Sequence, residues 1–182
     1  GVAFHNQLNI TTVTIPESVT LIGDFAFSGC ANLKSVIISE GVTSIGAYAF
    51  ADCKNLNSIV IPKTVKSIGG NAFSRCANLI SATIPEGVSY IEDHTFYGCE
   101  KLTSVVIPES VTKIGNNAFY DCYKLTNVVI PTSVTSIEDC AFYACRELKS
   151  IVVPEGVTGI GERAFTSCLA LSEAVIPSSV TA

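Results

Sequence analysis

The sequence has little of what metalloenzymes and nucleic-acid-binding proteins need. It contains only two histidines, and charged residues make up 15% of its 182 residues. It has no HExxH or CxxC spacing and no cluster of lysine and arginine, and its net charge is −5. Zinc sites need several converging ligands, and nucleic-acid binding draws most of its affinity from basic contacts with phosphate. The composition therefore predicts no metal site, no cofactor and no nucleic-acid partner.

Long apolar runs are also missing. No run approaches the roughly 18 residues that a membrane-spanning helix requires, because β-rich stretches such as Val105–Ile107 end at proline or a polar residue. The mean hydropathy of +0.45 therefore reflects strand and core content. Residues 1–10 have neither the basic segment nor the apolar core of a signal peptide. We expect no membrane insertion.

What the sequence does contain is one repeated unit. Its prolines share a 23-residue step, in which Ser39 fills the one vacant place: Pro16, Pro62, Pro85, Pro108, Pro131, Pro154 and Pro177. Phenylalanine keeps the same step without a gap: Phe27, Phe50, Phe73, Phe96, Phe119, Phe142 and Phe165. Valine, isoleucine and leucine columns begin at Val19, Ile22 and Leu33. A fixed step of this length is typical of a solenoid, in which each repeat stacks on its neighbours.

One unit predicts its own local structure. The alternating β-branched residues of Leu102–Ile107 predict a strand with Val105 and Ile107 facing inward, and Pro108 ends it. Val111 and Ile114, three residues apart, indicate a tight or a short extended segment on the opposite side of the coil. Glycine at Gly115 alternates with glutamate in its column, so we expect it to be selected for small size. We predict a curved, β-dominated solenoid of about eight coils, with little helix and with parallel strands on the concave face.

The unit LTSVVIPESVTKIGNNAFYDCYK, residues 102–124, resembles the repeats of the BspA-like leucine-rich repeat family. The resemblance covers essentially the whole chain. It implies a single leucine-rich repeat array over residues 1–182, which we expect to be a fragment of a longer protein. Members of that family are typically bacterial or protozoan surface and secreted proteins implicated in adhesion. The resemblance thus implies an extracellular or cell-surface location, but the repeat fixes no ligand.

The stretch AFYDCYKLTNVVIP, residues 118–131, places Asp121 beside Cys122 as if they were a reactive pair. Cys122 is however one of seven equivalents: Cys30, Cys53, Cys76, Cys99, Cys122, Cys145 and Cys168. A catalytic residue is normally unique, and stacked side chains in register point the same way, which disfavours disulfides. We expect a buried column of free thiols that pack as small hydrophobes. Cys140 lies outside this column and is a candidate intermolecular thiol.

Two sets of outward residues are candidate binding surfaces. The outward strand column is continuously valine in the second half of the chain and includes Val106, Val129 and Val152. An exposed apolar strip marks an interaction surface, although β-propensity alone also favours valine there. Tyr97, Tyr120 and Tyr143 recur in consecutive coils, with Tyr123 close by. Such rings supply binding area, or they pack along one flank of the coil.

The absence of a unique reactive cluster favours a non-catalytic module that recognises a protein or glycan in a surface or secreted adhesin-like protein. The alternative is a structural spacer or a self-associating segment that forms homo-oligomers. The acidic pairs Glu92–Asp93 and Glu138–Asp139 are the only candidates for a hydrolase site, and we interpret them as solvated turns.

Overall fold

The computed structural model describes residues 3–181, and these residues contain strands and turns but no helix. The longer strands follow the alternating segment of each unit and form one side of the coil, here called the long-strand ladder. Its members are β1 (Thr12–Ile15), β3 (Ser35–Ile38), β5 (Ser58–Val60), β7 (Ser81–Thr83), β9 (Ser104–Val106), β12 (Ser150–Val152) and β14 (Glu173–Val175).

Two-residue strands form a second side, the short-strand ladder, at the segment predicted from Val111 and Ile114. Its members are β2 (Leu21–Ile22), β4 (Ser44–Ile45), β6 (Ser67–Ile68), β8 (Tyr90–Ile91), β10 (Lys113–Ile114), β11 (Ser136–Ile137) and β13 (Gly159–Ile160). All strand pairs are parallel, and each residue pairs with the residue 23 positions along, as Val13 does with Val36. The predicted parallel β-solenoid is therefore confirmed.

The number of coils differs slightly from the prediction of about eight. The long-strand ladder has eight positions, seven strands and one isolated bridge at Asn127, and these positions bound seven complete turns. Residues 3–11 and 176–181 form only partial coils.

The third side of each coil is a chain of turns with its own hydrogen bonds to the next coil. Alternate amides donate: Phe25 N–H to Ala47 O at 2.9 Å, Phe27 to Ala49 at 2.8 Å and Gly29 to Ala51 at 2.7 Å. The columns of Phe25 and Gly29 have positive φ in every complete coil. The column of Gly115 does not, and a Cβ on Gly115 would lie 2.8 Å from the Ile91 carbonyl oxygen. Small size explains that glycine, as predicted.

Phenylalanine fills the centre of the coil. From Phe4 to Phe165, rings in adjacent coils are parallel, with centroids 5.2 to 5.6 Å apart and interplanar angles of 0 to 11°. These separations are within the usual range for offset-stacked aromatic pairs. The valine, isoleucine and leucine columns surround the rings, so that one continuous core runs along the solenoid.

The cysteine column is free and mostly buried, as predicted, but its thiols do more than pack. Each Sγ–H donates to the carbonyl oxygen of the phenylalanine in the preceding coil at 3.0 to 3.3 Å. The same carbonyl also accepts a backbone N–H within its own coil, as Phe27 O does from Cys30 N at 3.1 Å. The thiols therefore satisfy buried backbone acceptors between coils as well as filling space.

Phe119→Ala is expected to lower the free energy of unfolding by about 3–5 kcal/mol, because it removes a fully buried ring and leaves a cavity between two others. Urea denaturation followed by circular dichroism measures the loss. Tyr90→Ala, at a half-exposed position of the short-strand ladder, is the matched control and should change stability by less than about 1 kcal/mol. Equal effects of the two variants would contradict the inward placement of the phenylalanine column.

Candidate recognition surfaces

The long-strand ladder carries an exposed apolar strip. It comprises Ile37, Val60, Val106, Val129, Val152 and Val175, and Thr83 is the one polar residue of this column between Ile37 and Val175. These six apolar side chains are 48% to 77% exposed. A neighbouring residue on the same strand, such as Val105 next to Val106, instead points into the core. Strand alternation produces this arrangement, because successive side chains point to opposite faces. The strip includes the predicted Val106, Val129 and Val152 in consecutive coils.

The strip is interrupted beside Val129. The coil of Asn127 makes only a single bridge, to Ser104, and no strand is assigned there. A cavity of about 530 Å³ lies between this coil and the next, lined by Val129, Ile130, Val152 and Pro154. The apolar strip therefore has a concave region at its most valine-rich part.

The predicted tyrosines form a stack on the turn side. Tyr97 and Tyr120 have ring centroids 5.1 Å apart, and Tyr120 and Tyr143 4.6 Å, with interplanar angles of 17° and 9°. All three side chains are half-buried. Tyr123 is not part of this stack, since its ring faces the Arg146 guanidinium at 4.4 Å. Partial burial raises the pKa of Tyr120 and Tyr123, and Asp121 adds to both shifts, so both hydroxyls remain hydrogen-bond donors at neutral pH.

Two further sequence candidates are structural in this fold. Asp93 Oδ1 accepts the backbone N–H of Asn116 at 2.8 Å, and Asp139 Oδ1 accepts that of Glu162 at 2.7 Å. Each aspartate thus caps an amide of the next coil, as Asp24 does for Ala47. Glu138 pairs with Lys113 at 3.1 Å on the surface.

Cys140 is half-buried and lies in the positive-φ column that also contains Phe25.

A further group of residues on the turn side was not predicted from the sequence. Tyr48, Asn71, Ser74, Arg75, His94 and Tyr97 line a cavity of about 500 Å³, here called the notch. These residues belong to the positive-φ columns and to the column of Tyr97, which vary between repeats. The only indication of the notch in the sequence is a change in side-chain size. The column of Phe25 has large aromatic residues in the early coils, and the column of Tyr97 has them in later coils.

Among residues 3–181, no group of three or more histidine, cysteine, aspartate or glutamate side chains is placed to hold a metal ion. That same part of the chain has no helix with the length and apolarity to cross a bilayer.

Cys53→Ser is expected to reduce the amount by which the free energy of unfolding falls as the pH becomes alkaline. Burial raises the pKa of Cys53 to about 12 from an ordinary value of 9.0. Below pH about 9 the thiol is protonated in both states and its contribution is fully present; as pH rises towards about 12, ionisation in the unfolded state removes it. Without this thiol, unfolding free energy should fall less steeply over that window, by up to about 1.4 kcal/mol per pH unit.

Urea denaturation at several pH values between 8 and 11 measures the slope. Leu56→Ala is the matched control, because it damages a neighbouring buried column that does not titrate. It should lower stability by a similar amount at every pH. A Cys53→Ser slope equal to that of the parent would contradict the burial of a protonated thiol.

Comparisons with known proteins agree with this architecture. The sequence profile described as the BspA type leucine rich repeat region matches residues 2–126 and 66–182, with six copies. A search of curated proteins finds no significant match. A leucine-rich repeat protein from Eubacterium ventriosum is 33% identical, with a TM-score of 0.80, and the match covers 94% of this chain and 44% of that one.

Two further solved structures are similar. A leucine rich cell surface protein from Faecalibacterium prausnitzii is 30% identical, with a TM-score of 0.50, over 95% of this chain and 61% of that one. A leucine rich repeat protein from T. pallidum is 28% identical, with a TM-score of 0.63, over 93% and 69% of the two chains. This chain thus spans about half the length of the first two proteins. On its repeats and its architecture, the chain belongs to the BspA-type leucine-rich repeat family.

Proposed function

We propose that this chain is a non-catalytic recognition module that binds a protein partner through the apolar strip. The observation that carries the proposal is the exposure of Val106, Val129 and Val152, which are 58%, 71% and 59% exposed in consecutive coils. A row of large apolar side chains repeated in consecutive coils offers contact area, and exposed apolar patches commonly mark interaction sites.

A protein partner suits this strip better than a glycan does. The strip lacks charged side chains, and the positions beside it are mostly serine, such as Ser104 and Ser150. Interfaces between proteins place apolar residues at their centre and polar residues at the rim, and the cavity beside Val129 offers a place for one apolar anchor of the partner. β-propensity explains why valine is used at these positions, but it does not explain why the valine side chains are exposed to solvent and not covered by another part of the chain.

The tyrosine stack is a second contact surface in this proposal. Tyr97, Tyr120 and Tyr143 lie on the turn side, while Tyr123 and Arg146 form a separate cation–π pair near them. Tyrosine and arginine are the residues that contribute most often to binding energy at protein interfaces.

An extracellular or cell-surface location and an adhesin-like role form part of the same proposal. The solved neighbour from Faecalibacterium prausnitzii is named as a leucine rich cell surface protein, which supports that location for this chain. The fold itself does not determine a partner.

Insertion of charge into the strip tests the proposal. Val129→Glu combined with Val152→Lys places two opposite charges in adjacent coils and leaves the net charge unchanged, and both positions are more than half exposed, so the effect on stability should be small. The probe is a phage-displayed library of random peptides selected against the immobilised chain. We expect the selected peptides to lose at least tenfold in affinity for the double variant, measured by biolayer interferometry, because a buried charge would have to be desolvated.

Ser44→Glu combined with Ser67→Lys is the matched control, since these residues are paired in register on the short-strand ladder. The control should keep the affinity of the parent. Peptides that bind the strip variant and the parent equally well would show that the preferred protein-binding surface lies elsewhere.

Self-association is the second candidate, and one observation favours it. Cys140 is half-buried on the turn side and outside the hydrogen-bonded cysteine column, so it is the thiol best placed for a disulfide between chains. Light scattering at several protein concentrations should then detect oligomers that disappear with reductant or with Cys140→Ser. A monomer at every concentration, with or without reductant, would contradict the self-associating alternative.

A further inference from the structure

We propose that the notch is a second binding site, that its ligand is one neutral pyranose unit of a glycan, and that this sugar takes the place of an aromatic ring that the repeat omits there. The inference is independent of protein binding at the apolar strip, because the notch lies on the turn side of the coil and shares no residue with that strip; it shares Tyr97 with the tyrosine stack.

Two aromatic stacks end at the notch from opposite directions. Phe25 stacks on Tyr48 with centroids 4.7 Å apart and an interplanar angle of 5°. Three residues along the turn, the second stack runs from Tyr143 to Tyr97, and His94 packs against Tyr97 at 5.6 Å. The coil between Tyr48 and His94 contributes Asn71 and Ser74 at the two positions, so it carries no ring at either.

Hydrogen bonds fix the order of these three coils. The backbone N–H of Tyr48 donates to Gly70 O at 3.1 Å, and that of Asn71 donates to Asp93 O at 3.0 Å. The aromatic walls are therefore two coil steps apart, about 10 Å from one to the other. Van der Waals contact takes about 3.5–4.0 Å on each side. One ring-sized group fills such a gap, as Tyr120 does between Tyr97 and Tyr143, and a pyranose chair has that size.

Polar groups surround the gap in a way that suits hydroxyl ligands. Ser28 and Ser74 are only 7% and 6% exposed, they line the cavity, and neither hydroxyl is hydrogen-bonded within the part of the chain that the structure describes. Asn71 and His94 also direct no side-chain hydrogen bond to any residue of that part. Elsewhere on the turn side, polar side chains bond from coil to coil, as Asn78 Nδ2 does to Asn55 Oδ1 at 3.2 Å.

The charges at the notch balance. Asp52 and Arg75 both line it, and they occupy the same positive-φ column in adjacent coils. One acceptor and one donor group of opposite charge favour a neutral ligand with many hydroxyls over a phosphate or an acidic sugar, because hydroxyl groups both donate and accept hydrogen bonds. Tyr48 is 37% exposed and lines the cavity, so its ring supplies the apolar surface for the C–H face of the sugar.

The glycan has a path out of the notch. A second cavity of about 520 Å³ shares Asp52, Arg75 and Tyr97 with it and continues past Gly98 towards Asp121. The two cavities meet at Arg75, whose guanidinium lies 6.0 Å from the Tyr97 ring centroid. Adjoining sugar units can therefore follow the turn side of the solenoid across neighbouring coils.

Filling the notch tests the inference. Asn71→Phe supplies the missing ring, and the backbone tolerates an aromatic residue there because Phe25 and Tyr48 have φ of 55° and 56° in the same column, against 59° at Asn71. The probe is a printed array of neutral and acidic oligosaccharides, followed by isothermal titration calorimetry with the neutral oligosaccharide that binds the parent best. We expect Asn71→Phe to fold normally and to lose at least tenfold in affinity.

Asn117→Phe is the matched control, since it makes the same change in the same column at φ 55°, two coils from Asn71 and outside the cavity lining. It should bind as the parent does, and Tyr48→Ala, which removes the wall without filling the gap, should also lose at least tenfold. An array that shows no neutral glycan bound, or only acidic glycans, overturns the inference. So does binding that Asn71→Phe and Tyr48→Ala leave unchanged, whatever the outcome at the apolar strip.

Discussion

The hydrogen bond between adjacent coils, at a fixed 23-residue step, is the constraint on which the rest of this structure depends. Because the strands and turns of one coil bond to the same segments of the next, side chains of one column are placed against each other. Phe27 therefore meets Phe50, and Asn32 meets Asn55 through an amide–amide hydrogen bond of 3.2 Å. Each column must therefore consist of residues whose side chains pack well against a copy of themselves in the next coil. This explains why so few residue types make up the interior.

Much of the fold could be predicted from the sequence, because the period itself is visible. The column of Phe119 and the alternation around Val105 identify the interior and the direction of strand side chains without further information. The positive-φ columns could not be predicted, because Phe25, Arg75 and Cys140 are not residues that favour the left-handed region. Asparagine, aspartate and glycine favour the left-handed region, but they occupy only some of these positions, and other residue types occupy the rest.

The candidate surfaces divide in the same way. The exposure of Val129 follows from strand alternation alone, and the tyrosine stack follows from the period. The position of Tyr123 outside that stack does not, since it depends on the direction of the turn after Cys122. The notch could not be predicted by considering one column at a time, because it involves two columns whose positions are three residues apart. Along the chain, the first column loses its aromatic residues and the second gains them, and both have small or polar residues at Asn71 and Ser74. That relation is visible only once the turn has brought the columns side by side.

The positive-φ columns connect stability with recognition. A left-handed residue other than glycine costs about 1–2 kcal/mol, yet in each complete coil this conformation aims amides such as those of Phe25 and Gly29 at carbonyls of the next coil. Since the backbone bonds hold the turn, side chains there are free to vary: the Phe25 column also holds asparagine, histidine, cysteine and arginine. The core columns must repeat in order to stack, so departures from the repeat collect on this flank. A surface that differs from coil to coil gives a ligand one defined position along the array, whereas the apolar strip offers a similar contact in each coil.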